Sequence, residues 1–194
     1  MDTEVAERLH TAEDEPTVTA IQAGDREAFT LFMRRHHPWV RGVVYASLGR
    51  RDRVEDVCQQ VWTSVWQRMG ELREPARWRP WLFRLARNAA FDAGRERKRR
   101  RAWLEAFTRR ALPPPDPPEP AAGIATSELH RQVLDALEAL PAIYREPFIL
   151  RHVLGWSYRQ IADALDMPVD SVETRLVRAM RQLRQTLRAR GVME

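Results

Sequence analysis

The sequence predicts an all-α protein of two small helical units joined by a proline-rich spacer, and three observations carry that prediction. Apolar residues recur every three or four positions from Thr19 to Arg101 and again from Ser127 to Leu187, which is the period of helix faces. Nothing between Thr19 and Arg101 alternates with period two, so no sheet is expected there. The run Pro113-Pro114-Pro115-Asp116-Pro117-Pro118-Glu119-Pro120 can join neither helix nor sheet and marks a boundary. A chain of 194 residues has room for one domain or two small ones.

Residues 1–18 carry Asp2, Glu4, Glu7, Glu13, Asp14 and Glu15 without apolar period, and read as a flexible acidic tail. The first unit spans residues 19–108. Asp25 is placed to cap a helix through Ala28, Phe29, Phe32 and Met33, with His36-His37 at its end and Pro38 halting it. A second helix turns Val40, Val43, Val44 and Leu48 inward and stops near Gly49. The third has an unbroken stripe of Val54, Val57, Cys58, Val61, Trp62, Val65, Trp66 and Met69. Its opposite face bears Glu55, Asp56, Gln59, Gln60, Thr63 and Gln67, and Gly70 ends it. After a loop from Glu71 to Arg79, Pro80 suits the first turn of a fourth helix, which buries Trp81, Leu82, Leu85, Ala86 and Ala89. Residues Trp103 to Leu112 add a last turn or two.

The spacer, residues 109–126, favours an extended polyproline conformation, in which ten residues reach ~30 Å, close to one turn of DNA at ~34 Å. The second unit, residues 127–191, opens with a helix through Leu129, Val133, Leu137 and Leu140. Pro141 starts another, with Ile143, Phe148 and Leu150, and Gly155 breaks it. Ser157-Tyr158-Arg159-Gln160 is a capping box, flanked by Trp156 and Ile161 as a hydrophobic staple. The short helix Tyr158 to Leu165 ends at Asp166-Met167-Pro168. A longer helix then turns Val172, Leu176, Ala179, Leu183 and Leu187 inward and Ser171, Thr174, Arg175, Arg178 and Arg181 outward. Short helix, tight turn and longer cationic helix make a helix-turn-helix, the geometry of a duplex reader.

Charge points the same way. The net charge is +5, which favours an anionic partner. Lys98 is the sole lysine, a bias that suits bidentate phosphate contacts and that a GC-rich genome produces equally well. In the fourth helix Arg84, Arg87, Asn88 and Arg95 fall largely off the buried face and run into the basic block Arg95 to Arg101. Arg77 and Trp78 stand just before it. Cations for the backbone and flat rings for unstacked bases are what single-stranded nucleic acid requires. A core helix with a solvated charge run is the alternative, and Trp78 is either a base platform or a core residue.

No catalytic constellation is visible, so neither an enzyme nor a cofactor is expected. His10, His36, His37, His130 and His152 lack metal-ligand spacing, and Cys58 sits in an apolar stripe. The glycines form no phosphate-cradling loop. A single cysteine excludes an internal disulfide and fits a reducing compartment. No apolar run approaches the ~20 residues of a membrane span, and the acidic N-terminus lacks a signal peptide's apolar core. A cytoplasmic protein without membrane insertion is expected.

Taken together, these motifs resemble the extracytoplasmic-function group of bacterial RNA polymerase sigma factors. Val54 to Trp62 looks like that family's region 2.2, Trp81 to Asp92 like regions 2.3 and 2.4, and Gly155 to Leu183 like region 4.2. The resemblance implies that Glu55, Asp56, Gln59, Gln60 and Thr63 dock on the β′ clamp helices of core polymerase, which also offers its β subunit. It implies that Arg77, Trp78, Arg84, Arg87, Asn88 and Arg95 hold the melted −10 strand, with an unstacked base captured by the loop Leu72 to Arg79 and Asn88. For the duplex −35 element it implies Ser171, Glu173, Thr174, Arg175 and Arg178, with Tyr158 and Arg159 at the phosphates. An anti-sigma factor is the family's usual regulator. Asp170 stands where the family usually has glycine, and Glu173 where a basic residue is common. Acids in the first turn suit the helix dipole but repel phosphate, and Glu173 can accept from a cytosine amino group. A free-standing helix-turn-helix regulator with a helical dimerisation or sensor domain explains the second unit equally well. It leaves the Arg95 to Arg101 block and the spacer unexplained.

Overall fold

The computed structural model describes residues 14–108 and 128–192, and among these every regular element is helical. The first unit comprises α1 (residues 14–22), α2 (Arg26–Leu48), α3 (Val54–Arg68) and α4 (Trp78–Thr108), with short 3-10 turns at Met69–Glu71 and Pro75–Arg77. The second comprises α5 (Glu128–Ala139), α6 (Ala142–His152), α7 (Tyr158–Leu165) and α8 (Val169–Ala189). The prolines assigned to the spacer lie outside the described residues, as do residues 1–13 of the expected tail.

Two boundaries differ from expectation. Residues 14–22 are already helical, with Val18 and Ile21 as core residues and Asp14 buried against α2. There Asp14 accepts a hydrogen bond from Arg35 at 2.7 Å and lies 3.0 Å from His36 Nε2. Pro38 does not halt the chain: α2 runs through it, so His36 and His37 sit mid-helix. An interior proline costs about 3 kcal/mol or more. Burying Phe32, Val40, Val43 and Val44, each contributing roughly 1.5–3 kcal/mol, outweighs that loss.

The ends of α2 are as expected. The Asp25 carboxylate accepts from the Glu27 and Ala28 amides, and Gly49 closes the helix at φ +67°, its amide donating to Tyr45 O at 2.8 Å. Gly49 is required twice over, since a Cβ there would also collide with the Arg145 guanidinium. The stripe of α3 is buried from Val54 to Val65, while Trp66 is partly exposed. α4 begins at Trp78, two residues before Pro80, and its 31 residues pass through the basic block as one rod of about 46 Å.

In the second unit Ser157 Oγ accepts from the Gln160 amide at 3.2 Å, and Gln160 Oε1 accepts from the Ser157 amide at 2.7 Å, which completes the capping box. Trp156 and Ile161 are buried beside it. Asp166 takes the left-handed conformation at φ 53° and lets α8 turn away, burying Val172, Leu176, Ala179 and Leu183.

Nothing in the periodicity announces the contact between the two units. Their cores join through Trp156, whose ring lies against Phe83 of α4 (5.1 Å) and Trp39 of α2 (6.2 Å). Leu154 sits over Gly42, where any larger side chain would press on it. Arg145 of α6 is buried and reaches the end of α2, its Nε donating to Ala46 O at 3.0 Å and its Nη2 to Ser47 O at 3.3 Å. The same guanidinium donates to Leu140 O at 2.6 Å, so one cation closes the C-termini of α2 and α5, where helix dipoles favour it. Arg51 pairs with Asp135 and with Glu138 (2.8 Å), and Tyr45 donates to Leu134 O at 3.3 Å.

Candidate nucleic-acid and polymerase interfaces

Three faces emerge from this frame. On α3 the side chains of Glu55, Asp56, Gln59, Gln60 and Thr63 all stand in solvent, opposite the Val54-Val57-Val61 stripe. Glu55 pairs with Arg41 at 2.7 Å and lies 3.4 Å from His37 Nε2, while His37 Nδ1 accepts from Trp62 Nε1 at 3.1 Å. Asp56 pairs with Arg53 at 3.3 Å. Between α2 and α3 lies an open groove of about 720 Å³, lined in part by Met33, Pro38, Trp62 and Gln59. An apolar floor inside a polar rim is the anatomy of a protein-docking surface.

The second face lies on α4. Arg84, Asn88, Phe91 and Arg95 are spaced four, three and four residues apart and form one stripe along the rod. Arg84, Asn88 and Arg95 are exposed, with Arg95 also 2.7 Å from Asp92. Arg87 flanks the stripe; it is half-buried, and its guanidinium lies 4.7 Å from the centre of the Phe91 ring. Glu146 of α6 accepts from Arg87 at 3.2 and 3.3 Å, across the boundary between the units. Arg77 is exposed and pairs with Glu74 at 2.7 Å.

Trp78 requires a correction. It is 2% exposed, its ring packed edge-on to Phe32 at 5.0 Å and against His36 at 4.5 Å, so it offers no platform to a base. The half-buried ring on the α4 stripe is Phe91, seven residues beyond Arg84, a spacing legible in the sequence. The environment of Trp78 also explains its neighbour. Burial holds the His36 imidazole down to about 4 against the pull of Asp14, so the ring beneath α4 is neutral at pH 7.

The third face is the helix-turn-helix. Glu173, Thr174 and Arg178 are exposed on α8, and Ser171 and Arg175 are half-buried. Arg159 and Tyr158 project from the start of α7, where the Arg151 guanidinium lies 5.2 Å from the Tyr158 ring centre and donates to Trp156 O at 2.8 Å. Among the described residues no cluster of histidine, cysteine and carboxylate side chains could hold a metal, and no helix is long and apolar enough to cross a membrane. Cys58 is fully buried, and desolvation pushes its thiol up to about 12, as a packed core residue requires.

Comparison with known proteins places the chain in a family. Residues 32–110 match the model for sigma-70 region 2, and residues 130–183 match the model for sigma-70, region 4. The chain is 30% identical to the ECF RNA polymerase sigma-E factor of Haemophilus influenzae over 86% of its own length and 90% of that protein. It is 31% identical to the RNA polymerase sigma factor CarQ of Myxococcus xanthus, covering 84% of this chain and 91% of CarQ. In fold it is similar to CnrH, solved in complex with the cytosolic domain of CnrY, at a TM-score of 0.62 and 24% identity over 91% of this chain and 97% of CnrH. The sigma factor RpoE of Bartonella quintana, solved with the anti-sigma factor NepR, gives a TM-score of 0.62 at 22% identity, covering 82% of this chain and 96% of RpoE.

Proposed function

Because the chain belongs to the extracytoplasmic-function group of RNA polymerase sigma factors, we propose that its three faces divide promoter recognition among them. The α3 face, with Asp56, Gln59 and Gln60 at its centre and Glu55 and Thr63 beside them, docks on the β′ clamp helices of core polymerase. The groove next to it receives apolar side chains of that partner. The α8 face enters the major groove of the −35 duplex. Arg178 and Thr174 are exposed polar groups on it, Glu173 is an acceptor for a cytosine amino group, and Arg159 and Tyr158 sit at phosphates.

The α4 stripe takes the melted −10 strand. Arg84 and Arg95 neutralise phosphates, Asn88 reads a base edge, and Phe91 supplies the ring. Stacking one base on an aromatic side chain contributes about 1–3 kcal/mol, comparable to the few kcal/mol that unstacking one base costs. A short bubble is therefore held once duplex contacts fix the site. The protein is a specificity subunit that contributes binding energy and no catalytic step of its own. It works in the cytoplasm beside polymerase, under an anti-sigma factor that covers one or more of these faces.

The observation that carries this reading is the coexistence in one chain of a duplex reader on α8 and a cation-and-ring stripe on α4. Run-off transcription with core polymerase over a promoter library tests it. The chain directs initiation from a defined subset of templates, and Asp56→Arg with Gln60→Ala abolishes that activity without shifting the melting curve. Duplex binding without any initiation would leave a free-standing regulator as the better account.

A further inference from the structure

One row on the outward side of α8 does not suit a purely cationic reader. Val169, Glu173 and Val177 are spaced by four residues and all three are exposed, Val177 to 65%. A lone exposed valine is ordinary. These two bracket an exposed carboxylate, on a helix whose other side buries Val172, Leu176, Ala179 and Leu183. The position four residues after a helical glutamate is where an intrahelical cation would stand, and Val177 occupies it. Among the described residues no hydrogen bond or ion pair engages the Glu173 carboxylate. Glu55, Asp56 and Asp92, by contrast, are each paired with an arginine.

We propose that Glu173 and Val177 make this reader selective for two pyrimidines, a cytosine with a thymine one or two base pairs away. The inference rests on the assignment of α8 to the −35 duplex. Each side chain matches one group that the major groove offers. The cytosine N4 amino group donates to the Glu173 carboxylate, whereas guanine N7 and O6 and thymine O4 present lone pairs that repel it. Adenine N6 also donates, but its N7 acceptor stands beside it and repels the second carboxylate oxygen.

The thymine C5-methyl is an apolar projection into the same groove, and Val177 is the apolar side chain of α8 most exposed to meet it. Four residues of helix rise about 6 Å and each base pair about 3.4 Å, so the two contacts fall within about two steps. Exposed Arg178 and Arg181 lie on the same side of α8 and supply the positive charge that lets one carboxylate approach a groove walled by phosphates.

Holoenzyme tests both contacts without altering any buried side chain. Run-off selection over a library randomised at −35 should yield a cytosine and a thymine within two steps of each other. Replacing that thymine by uracil deletes only the methyl group. It should weaken holoenzyme binding about four-fold, which is what burying one such group contributes. Val177→Ser should bind the thymine and uracil duplexes alike. Glu173→Gln should move the preference at the cytosine to adenine, whose N6 and N7 suit a side-chain amide.

Indifference of the wild type to every thymine methyl overturns the proposal, as does an unchanged base preference in Glu173→Gln. Weakened core-polymerase binding by Val177→Ser, with the thymine effect intact, overturns it too and makes the row a protein contact. A wild type that initiates on no template fails the sigma reading itself. Initiation from a defined −35 sequence that lacks the two pyrimidines fails this inference alone.

Discussion

The two helices that we assign to DNA are built from similar materials and packed differently. On α8, Glu173, Thr174 and Arg178 project into solvent from a helix whose other face is packed within its own unit. On α4, Arg87 and Phe91 are half-buried, one paired to Glu146 and the other beneath Arg87. An outward position on a helix wheel thus means outward from that helix's own unit only. A second unit can still reach it, as Glu146 of α6 reaches Arg87, while Arg84, Asn88 and Arg95 on the same helix stay exposed.

The largest test of this contrast is Trp78. As a core residue touching Phe32 and His36, its replacement by alanine should cost about 3–5 kcal/mol and unfold much of the α4-bearing unit while α8 keeps its structure. Chemical denaturation followed by circular dichroism checks this. Lost strand binding with an unchanged denaturation midpoint would instead return Trp78 to the role of platform.

Next come the two arginines. Arg178→Ala should weaken −35 duplex binding by about 1–3 kcal/mol in the free chain and in the holoenzyme alike. Arg87→Ala should leave DNA binding by the free chain nearly unchanged and act only in the holoenzyme. Equal effects of Arg87→Ala in both settings would erase the contrast between the faces.

Acid provides a third probe. His36 titrates at about 4 in the folded chain against 6.5 in a free side chain, so the unfolded state binds the extra proton between those values. Stability conferred by the neutral ring is complete above 6.5 and is lost as pH falls towards 4. The α4-bearing unit should lose about 2 kcal/mol between pH 7 and pH 5, an effect that His36→Gln removes. Denaturation midpoints at the two pH values read it directly.

Much of this was legible in the sequence, because it is local. Period and capping chemistry located α3, Asp25, Gly49 and the Ser157–Gln160 box, each of which depends on residues within a few positions of one another. Pro38 misled because its local cost is real and is overcome only by long-range burial around Phe32 and Val40. Val18 and Asp14 were hidden in an acid-rich stretch whose partners, Arg35 and His36, lie twenty residues away. Phe91 was visible by spacing, whereas the burial of Trp78 depends on α2. The Arg145 and Glu146 contacts join residues about sixty to a hundred positions apart and leave no periodic trace.

The central claim, that α8 takes the duplex and α4 the melted strand, is tested most directly by the non-template −10 strand of a promoter selected by transcription. Its equilibrium affinity for the full-length chain is measured with and without core polymerase, beside the affinity for −35 duplex. The account predicts single-strand binding in the presence of core polymerase that Arg84→Ala and Phe91→Ala weaken, and −35 duplex binding that Arg178→Ala weakens. No single-strand binding even with core polymerase present, beside intact −35 duplex binding, would contradict it.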